Sequence, residues 1–293
     1  MWDGSGGKAG DERLVWGDSV MANHGSDRSF PSKDRIARRC VKHLRHGAIA
    51  ILASMPGVAA AGSPDGQSAP VAAVSEQPTE ALHFSANATL LSDYRFRGTS
   101  YSSGEPVAQV SLVGAHESGL FAGVFASGLG NDPIYGTVEV DLFAGYAQPV
   151  APDITAEVSL YYYLYPDANP AVPETNSFET TVQLIGDFGA FTPKLGASYA
   201  WEQAALGGRD NLYLFGDLVW QVPNTALDAR VHAGYTDGAY SIAADGSVVD
   251  WSVGMGFRPI PDIRLGLDYS SIGGPRVKDY TDDAVVASLS VDF

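Results

Sequence analysis

Asp93, Arg95 and Arg97 stand two residues apart, as do Glu139 and Asp141, and Glu179 lies in another alternating run. On extended backbone that spacing puts side chains on one face. Carboxylates and guanidinium groups gathered in this way do the chemistry of charge. With Arg95 and Arg97 on one wall and Glu139, Asp141 and Glu179 on another, they would set a transverse field across a water-filled constriction. Alternatively they neutralise one another as buried pairs and fill a narrow interior. Tyr161, Tyr163 and Tyr165 repeat the spacing, with Glu157 on the same face. They offer either a hydroxylated slide for sugar-like or nucleoside-like solutes or a plain wall packed against the charges.

Covalent chemistry has little to work with. The one cysteine, Cys40, falls in the amino-terminal region, so the rest of the chain has neither a thiol nucleophile nor a thiolate metal site, which suits an oxidising compartment. His83, His116 and His232 are the histidines from Leu82 onward. The first two map to strand ends, and His232 shares a face with Asp228 and Arg230. No nucleophile elbow, His-Glu-x-x-His helix or paired-carboxylate motif accompanies them. The expectation is no enzyme, no catalytic residue, no metal and no cofactor. A hydrolase built around His232 is the rival class.

The elements that position these residues are twelve alternating runs: Leu82 to Arg97, Val107 to Ala115, Leu120 to Gly128, Thr137 to Gln148, Ile154 to Tyr165, Phe178 to Gly186, Lys194 to Trp201, Leu212 to Gln221, Leu227 to Thr236, Val249 to Arg258, Ile263 to Ser270 and Ala284 to Phe293. Most are close to the ~9–11 residues with which a tilted strand crosses a bilayer. Short connections (His116 to Gly119, Pro149 to Asp153, Asp187 to Pro193, Pro223 to Ala226, Pro259 to Asp262) alternate with longer polar ones (Gly98 to Pro106, Leu129 to Gly136, Pro166 to Ser177, Glu202 to Asn211, Asp237 to Val248, Ser271 to Asp283). This rhythm predicts an all-β fold, an antiparallel up-and-down transmembrane β-barrel of about 12 strands over residues 82–293, with short periplasmic turns and long external loops.

Face assignments agree with that fold. Phe84, Ala86, Ala88, Leu90, Tyr94 and Phe96 fall on one face of the first run; Ile154, Ala156, Val158, Leu160, Tyr162 and Leu164 do so in the fifth. Aromatic residues gather at two levels. Tyr94, Phe96, Tyr199, Trp201, Tyr235, Trp251 and Tyr269 are expected at the external ends, and Phe84, Tyr146, Trp220, Phe257 and Phe293 at the periplasmic ends, as interfacial girdles.

The region before the barrel reads differently. Arg35, Arg38, Arg39, Lys42 and Arg45 precede the apolar stretch Gly47 to Val58 and the small-residue run Ala59 to Gly62, so residues 1–61 read as an extended leader with a secretory signal peptide. Its unusual length leaves a start at Met21 or later open, and a short amphipathic helix is the alternative. Residues 62–81, rich in Pro, Ser, Ala and Gln, read as a flexible periplasmic segment. Nine of the eighteen Lys and Arg residues and six of the thirty-four acids lie before Gly62, which leaves the remainder at −19. So acidic a product is unsuited to nucleic acid. Asp132, Asp167, Glu174, Asp210, Asp237, Asp245, Asp279, Asp282 and Asp283 would form an acidic rim that attracts cations.

Ser92 to Gly98 (SDYRFRG), His116 to Gly123 (HESGLFAG), Glu139 to Tyr146 (EVDLFAGY) and Tyr161 to Pro166 (YYYLYP) resemble the proteobacterial porin-like family catalogued as Gcw_chp or TorF. The resemblance runs from Leu82 to the carboxyl end. It implies an outer-membrane barrel with a pore role and names no substrate. The terminal run Val285, Ala287, Leu289, Val291, Phe293 resembles the signal read by barrel-assembly machinery, with Phe293 as its last residue. The expected partners are therefore outer-membrane lipid and lipopolysaccharide, that machinery, and small polar solutes. A non-conducting structural or adhesion barrel is the alternative.

Overall fold

The computed structural model describes residues 81–172 and 174–293; the leader and all but the last residue of the segment expected before the barrel lie outside the described residues. The chain forms β1 (Leu82–Leu91), β2 (Arg95–Phe96), β3 (Thr99–Ser100), β4 (Val107–His116), β5 (Leu120–Asp132), β6 (Gly136–Ala151), β7 (Ile154–Leu164), β8 (Ser177–Gly186), β9 (Phe191–Gln203), β10 (Arg209–Gln221), β11 (Leu227–Gly238), β12 (Ser247–Ile260), β13 (Ile263–Ile272) and β14 (Ala284–Asp292). β1 and β4–β14 make a closed antiparallel barrel of twelve strands, and β2 and β3 make a separate hairpin. Closure matters because each strand N–H and C=O then finds a partner without water. The seam between β1 and β14 registers Asn87 with Asp292 and Thr89 with Ser290. Side chains reinforce it: Asn87 Nδ2 donates to Asp292 Oδ1 at 2.7 Å, and Thr89 Oγ1 donates to Ser290 Oγ at 2.9 Å.

The period of two decides which side meets lipid. Leu112, Leu142, Val158, Leu160, Val182, Leu195, Leu214, Val253, Leu267 and Leu289 are exposed on the outside. At the long-loop end Phe178 stacks on Trp201 at 5.4 Å and Trp251 packs on Tyr269 at 5.5 Å; at the short-turn end Phe191 stacks on Trp220 at 6.2 Å. An apolar belt between two aromatic rings fits a bilayer. Val182→Arg, which puts a cation on the lipid face in mid-β8, is expected to cost roughly 2–4 kcal/mol if it sits near the bilayer midplane, read by urea unfolding in vesicles.

The inner wall between β5 and β6 is kept thin by glycine. Phe121 is registered opposite Gly145, and Gly123 opposite Phe143. Each ring lies where a Cβ on its partner glycine would stand, so the rings lie against the wall rather than across the lumen. At the long-loop end Asp167 accepts hydrogen bonds from the Thr137 backbone N–H and, at 2.5 Å, from its hydroxyl. The hydroxyl bond holds the Asp167 carboxyl below its usual range.

Three expectations need correction. The first wall strand ends at Leu91 and not at Arg97, because the chain leaves the wall after Ser92 and turns into the barrel. Tyr94 and Phe96, expected in the lipid-facing girdle, are therefore 0% and 6% exposed, against 68% for Phe84 and 57% for Leu90. Gly98 to Pro106 is only partly an external loop: Thr99, Ser100, Tyr101 and Ser102 are buried. Several strands also run further than expected; β5 reaches Asp132 and β6 starts at Gly136, so Leu129 is an inward strand residue and the connection there is the three residues Pro133 to Tyr135.

Candidate functional site

The inner hairpin is built around Asp93. Its Oδ2 accepts from Arg95 Nε at 2.6 Å, and its Oδ1 accepts from the hydroxyls of Ser100 at 2.5 Å and Ser102 at 3.1 Å. One carboxylate thereby ties both legs. Phe96 pairs with Thr99, so Arg97 and Gly98 form a two-residue loop, and both have positive φ, 50° and 77°. That is the geometry of a type I′ hairpin turn, which glycine adopts freely and arginine does not. The tip lies against β12 and β13: a Cβ on Gly98 would stand 2.8 Å from Ile272 Cβ and 2.9 Å from Asp250 Cβ. Arg95 Nη1 donates to the carbonyls of Gly98 at 3.1 Å and Asp282 at 2.6 Å, and the Ser100 N–H donates to the Tyr280 carbonyl at 2.8 Å.

Arg97 is the hairpin's anchor. Nη2 donates to Glu179 Oε1 on β8 at 2.6 Å, with Arg97 4% and Glu179 0% exposed. Its guanidinium lies 4.2 Å from the Tyr213 ring centroid on β10 and 4.6 Å from that of Phe96. A charge so deep is tolerable only when paired and hydrogen-bonded, and here the partner is one carboxylate supported by aromatic faces.

The residues singled out from sequence all point inward. Glu139 and Asp141 on β6, Tyr161 and Tyr163 on β7, Tyr165 just beyond it and Glu179 are buried around the hairpin. Tyr165 donates to Glu139 at 2.9 Å. Phe143, Tyr161 and Tyr163 stack in succession at 5.5 and 6.2 Å, and Phe96 meets Tyr163 edge-on at 6.3 Å. The tyrosines thus pack against the hairpin. Glu157 stands apart, lower on β7, accepting from Gln183 at 2.9 Å. The two arginines do not occupy a wall facing the acids: both sit on the hairpin, Arg95 bound to its own Asp93 and Arg97 to Glu179. Of the acids expected to face them, Glu179 is paired with Arg97, while Glu139 accepts from the Tyr165 hydroxyl.

A second charged array, which sequence reasoning did not assemble, lines β9 to β14 toward the short turns. Arg264 holds Asp228 through two bonds, Nε to Oδ2 at 3.0 Å and Nη2 to Oδ1 at 2.5 Å. Arg230 pairs with Asp268 at 2.5 Å, Arg258 with Asp292 at 3.4 Å, and Lys194 lies 4.0 Å from Asp217. His232 shares the inner face of β11 with Asp228 and Arg230, but its hydrogen-bond partners come from the flanking strands. Its Nδ1 lies 2.7 Å from Asp217 Oδ1 and its Nε2 2.9 Å from Asp250 Oδ2, with Tyr213 Oη also 2.9 Å from Nε2. The alternation of Asp228, Arg230 and His232 was the available signal; their partners on other strands were hidden by register. Among the described residues no group of three His, Cys, Asp or Glu side chains is arranged to hold a metal ion.

A closed barrel with an apolar exterior, girdled ends and a charged interior defines a membrane-spanning β-barrel of the porin type. The chain belongs to the Gcw_chp family, described as a bacterial protein of unknown function, whose model matches residues 75–291. No curated protein matches it. Among solved structures it resembles the NanC porin, with a TM-score of 0.51 and 11% identity over 72% of this chain and 99% of that one. The KdgM porin (TM-score 0.49, 6% identity, 71% and 98% covered) and the COG4313 outer membrane channel from Pseudomonas putida F1 (0.42, 10%, 74% and 96%) are more distant in shape. At such identities the likeness to NanC is one of fold.

Proposed function

We propose that this chain is a porin-like channel of a proteobacterial outer membrane, of the TorF type, that passes small polar solutes by diffusion and catalyses no reaction. The observation that carries the reading is the lining. Ionisable side chains run down the β9–β14 wall below the hairpin, and Lys194, Asp217 and Arg230 there keep some contact with solvent. The −19 balance beyond the leader favours cations, although several rim acids are already engaged, Asp282 by Arg95 and Asp283 by Arg276. Lipid, lipopolysaccharide and the assembly machinery remain the proposed partners, with Phe293, set beside β1 through hydrogen bonds with Ala86, as the assembly signal.

A second reading, a non-conducting structural or adhesion barrel, is favoured by one observation: residues 93–102 of the inner segment are all buried. Planar-bilayer recordings on refolded full-length protein separate the two. Discrete conductance steps, with a salt-gradient reversal potential on the cation side, are the expected result. Silence in the wild type and also in a variant whose residues 94–103 are replaced by a short Gly/Ser link would remove the channel reading. Anion-selective steps would remove the charge argument alone.

A further inference from the structure

We propose that the inner hairpin is a movable plug latched by a proton on His232, seated while the imidazole carries both ring protons and released when one is lost. The inference rests on the channel reading for its consequence, passage; the movement can be read by itself.

The latch follows from donor and acceptor counting. Both ring nitrogens of His232 face carboxylate oxygens, Asp217 Oδ1 at 2.7 Å and Asp250 Oδ2 at 2.9 Å. Asp217 only accepts, so Nδ1 donates to it; Nε2 stands 2.9 Å from both Asp250 Oδ2 and the Tyr213 hydroxyl, and with the hydroxyl proton given to Asp250 it donates as well, which makes the imidazole the cation. His232 is buried on β11 between β10 and β12, the strands that carry these two acids.

The cluster touches the plug at two points. Asp250 forms the seat of the tip, where a Cβ on Gly98 would stand 2.9 Å from its own Cβ. Tyr213, whose hydroxyl reaches His232 at 2.9 Å and donates to Asp250 at 3.2 Å, carries the Arg97 guanidinium over its ring at 4.2 Å. The other charged and titratable groups facing the cluster are Lys194 from β9, 4.0 Å from Asp217, Arg230 two residues along β11, and from the plug side Arg97 with Glu179 and Tyr240 beside it. With the imidazole charged, two carboxylates share His232 and Lys194. Without that second proton one carboxylate faces a nitrogen lone pair. Lys194 stands on the Asp217 side, so Asp250 is the acid left uncompensated, and the plug cation next in chain to its Gly98 contact is Arg97. Drawing Arg97 from Glu179 toward Asp250 undoes the anchor of the hairpin. Acid therefore seats the plug and alkali frees it.

The test uses the full chain with Cys40→Ala and a reporter thiol at Thr99→Cys, on the buried leg β3. Labelling by a methanethiosulfonate reagent is divided by the rate at an exposed reference, Ala204→Cys, which removes the effect of pH on the thiol. The expected ratio rises by about tenfold or more between pH 5.5 and pH 8.5, since one linked proton changes an equilibrium by up to ~10-fold per pH unit. Asp250→Asn, which spares His232 the need for its second proton, is expected to give a low ratio that is flat with pH; His232→Gln is expected to give a raised ratio that is flat. A wild-type ratio independent of pH, or an unchanged rise in Asp250→Asn, overturns the latch even if His232→Gln fails to fold. The expected labelling pattern without conductance at any pH would leave the latch standing and remove the channel reading.

Discussion

Replacing Arg97 with alanine is expected, in the proposed channel, to raise the fraction of time it is open by about 10²–10³-fold. The change strips Glu179, wholly buried on β8, of its ion-pair partner, leaving only the long 3.4 Å contact from Tyr163. Breaking a buried pair from one side costs about 3–5 kcal/mol, mostly as the penalty on the charge left behind. The guanidinium over Tyr213 adds roughly 0.5–2 kcal/mol. The barrel ladder does not run through Arg97, so the strain is relieved by letting the hairpin go and water in. Arg97→Lys keeps the charge and loses the planar fork and stacking, so it is expected to fall between wild type and alanine. In the double variant Arg97→Ala/Glu179→Gln the orphaned charge is gone, and much of the closed population should return. The measurement is open probability in bilayers beside the thermal unfolding of the barrel. If Arg97→Ala left the current unchanged while lowering Tm, Arg97 would be a strut of the wall and not the anchor of a plug.

The barrel itself could be read from the sequence because its cause is local. Which side of a strand meets lipid is fixed by the parity of the residue number, and Glu157, Ser159, Tyr161 and Tyr163 on β7 are buried just as their parity predicts, while Val158, Leu160 and Tyr162 are exposed. Tyr94 and Phe96 escape the rule for the same reason. Their parity matches that of Phe84 and Leu90, so alternation alone extends the strand through them. Two signs of the turn were present: Ser92 interrupts the apolar face, and Arg97-Gly98 offers a positive-φ pair between short extended runs.

What stayed out of reach was pairing over distance. Arg97 and Glu179 are 82 residues apart and Arg264 and Asp228 36, and neither pair is made by adjacent strands. Arg264 reaches Asp228 past β12 only because Gly256 stands between them, where any Cβ would collide with both side chains. A glycine in a strand has several meanings, and register is needed to choose among them. The same holds for His232: its face is legible from alternation, but its partners Asp217 and Asp250 arrive from the flanking strands.

The two charged arrays are joined at Tyr213, which supports Arg97 by its ring and His232 by its hydroxyl. Below that joint the pairs belong to the wall, and their loss is expected to act on the barrel and not on the plug. Arg264→Ala should lower barrel stability by about 3–5 kcal/mol, because it leaves the buried Asp228 without the guanidinium that holds both its oxygens. Reversible urea unfolding in vesicles measures the loss, and the T99C labelling ratio should stay at its wild-type value. Replacing the pair together, Arg264→Met with Asp228→Leu, removes both desolvated charges at once and is expected to be close to neutral or stabilising. Arg97→Ala is expected to show the reverse pattern, a large change in labelling with little change in the urea midpoint. Should Arg264→Ala free the hairpin as readily as Arg97→Ala does, the interior would be one cooperative network, and the division into a wall array and a plug anchor would fall.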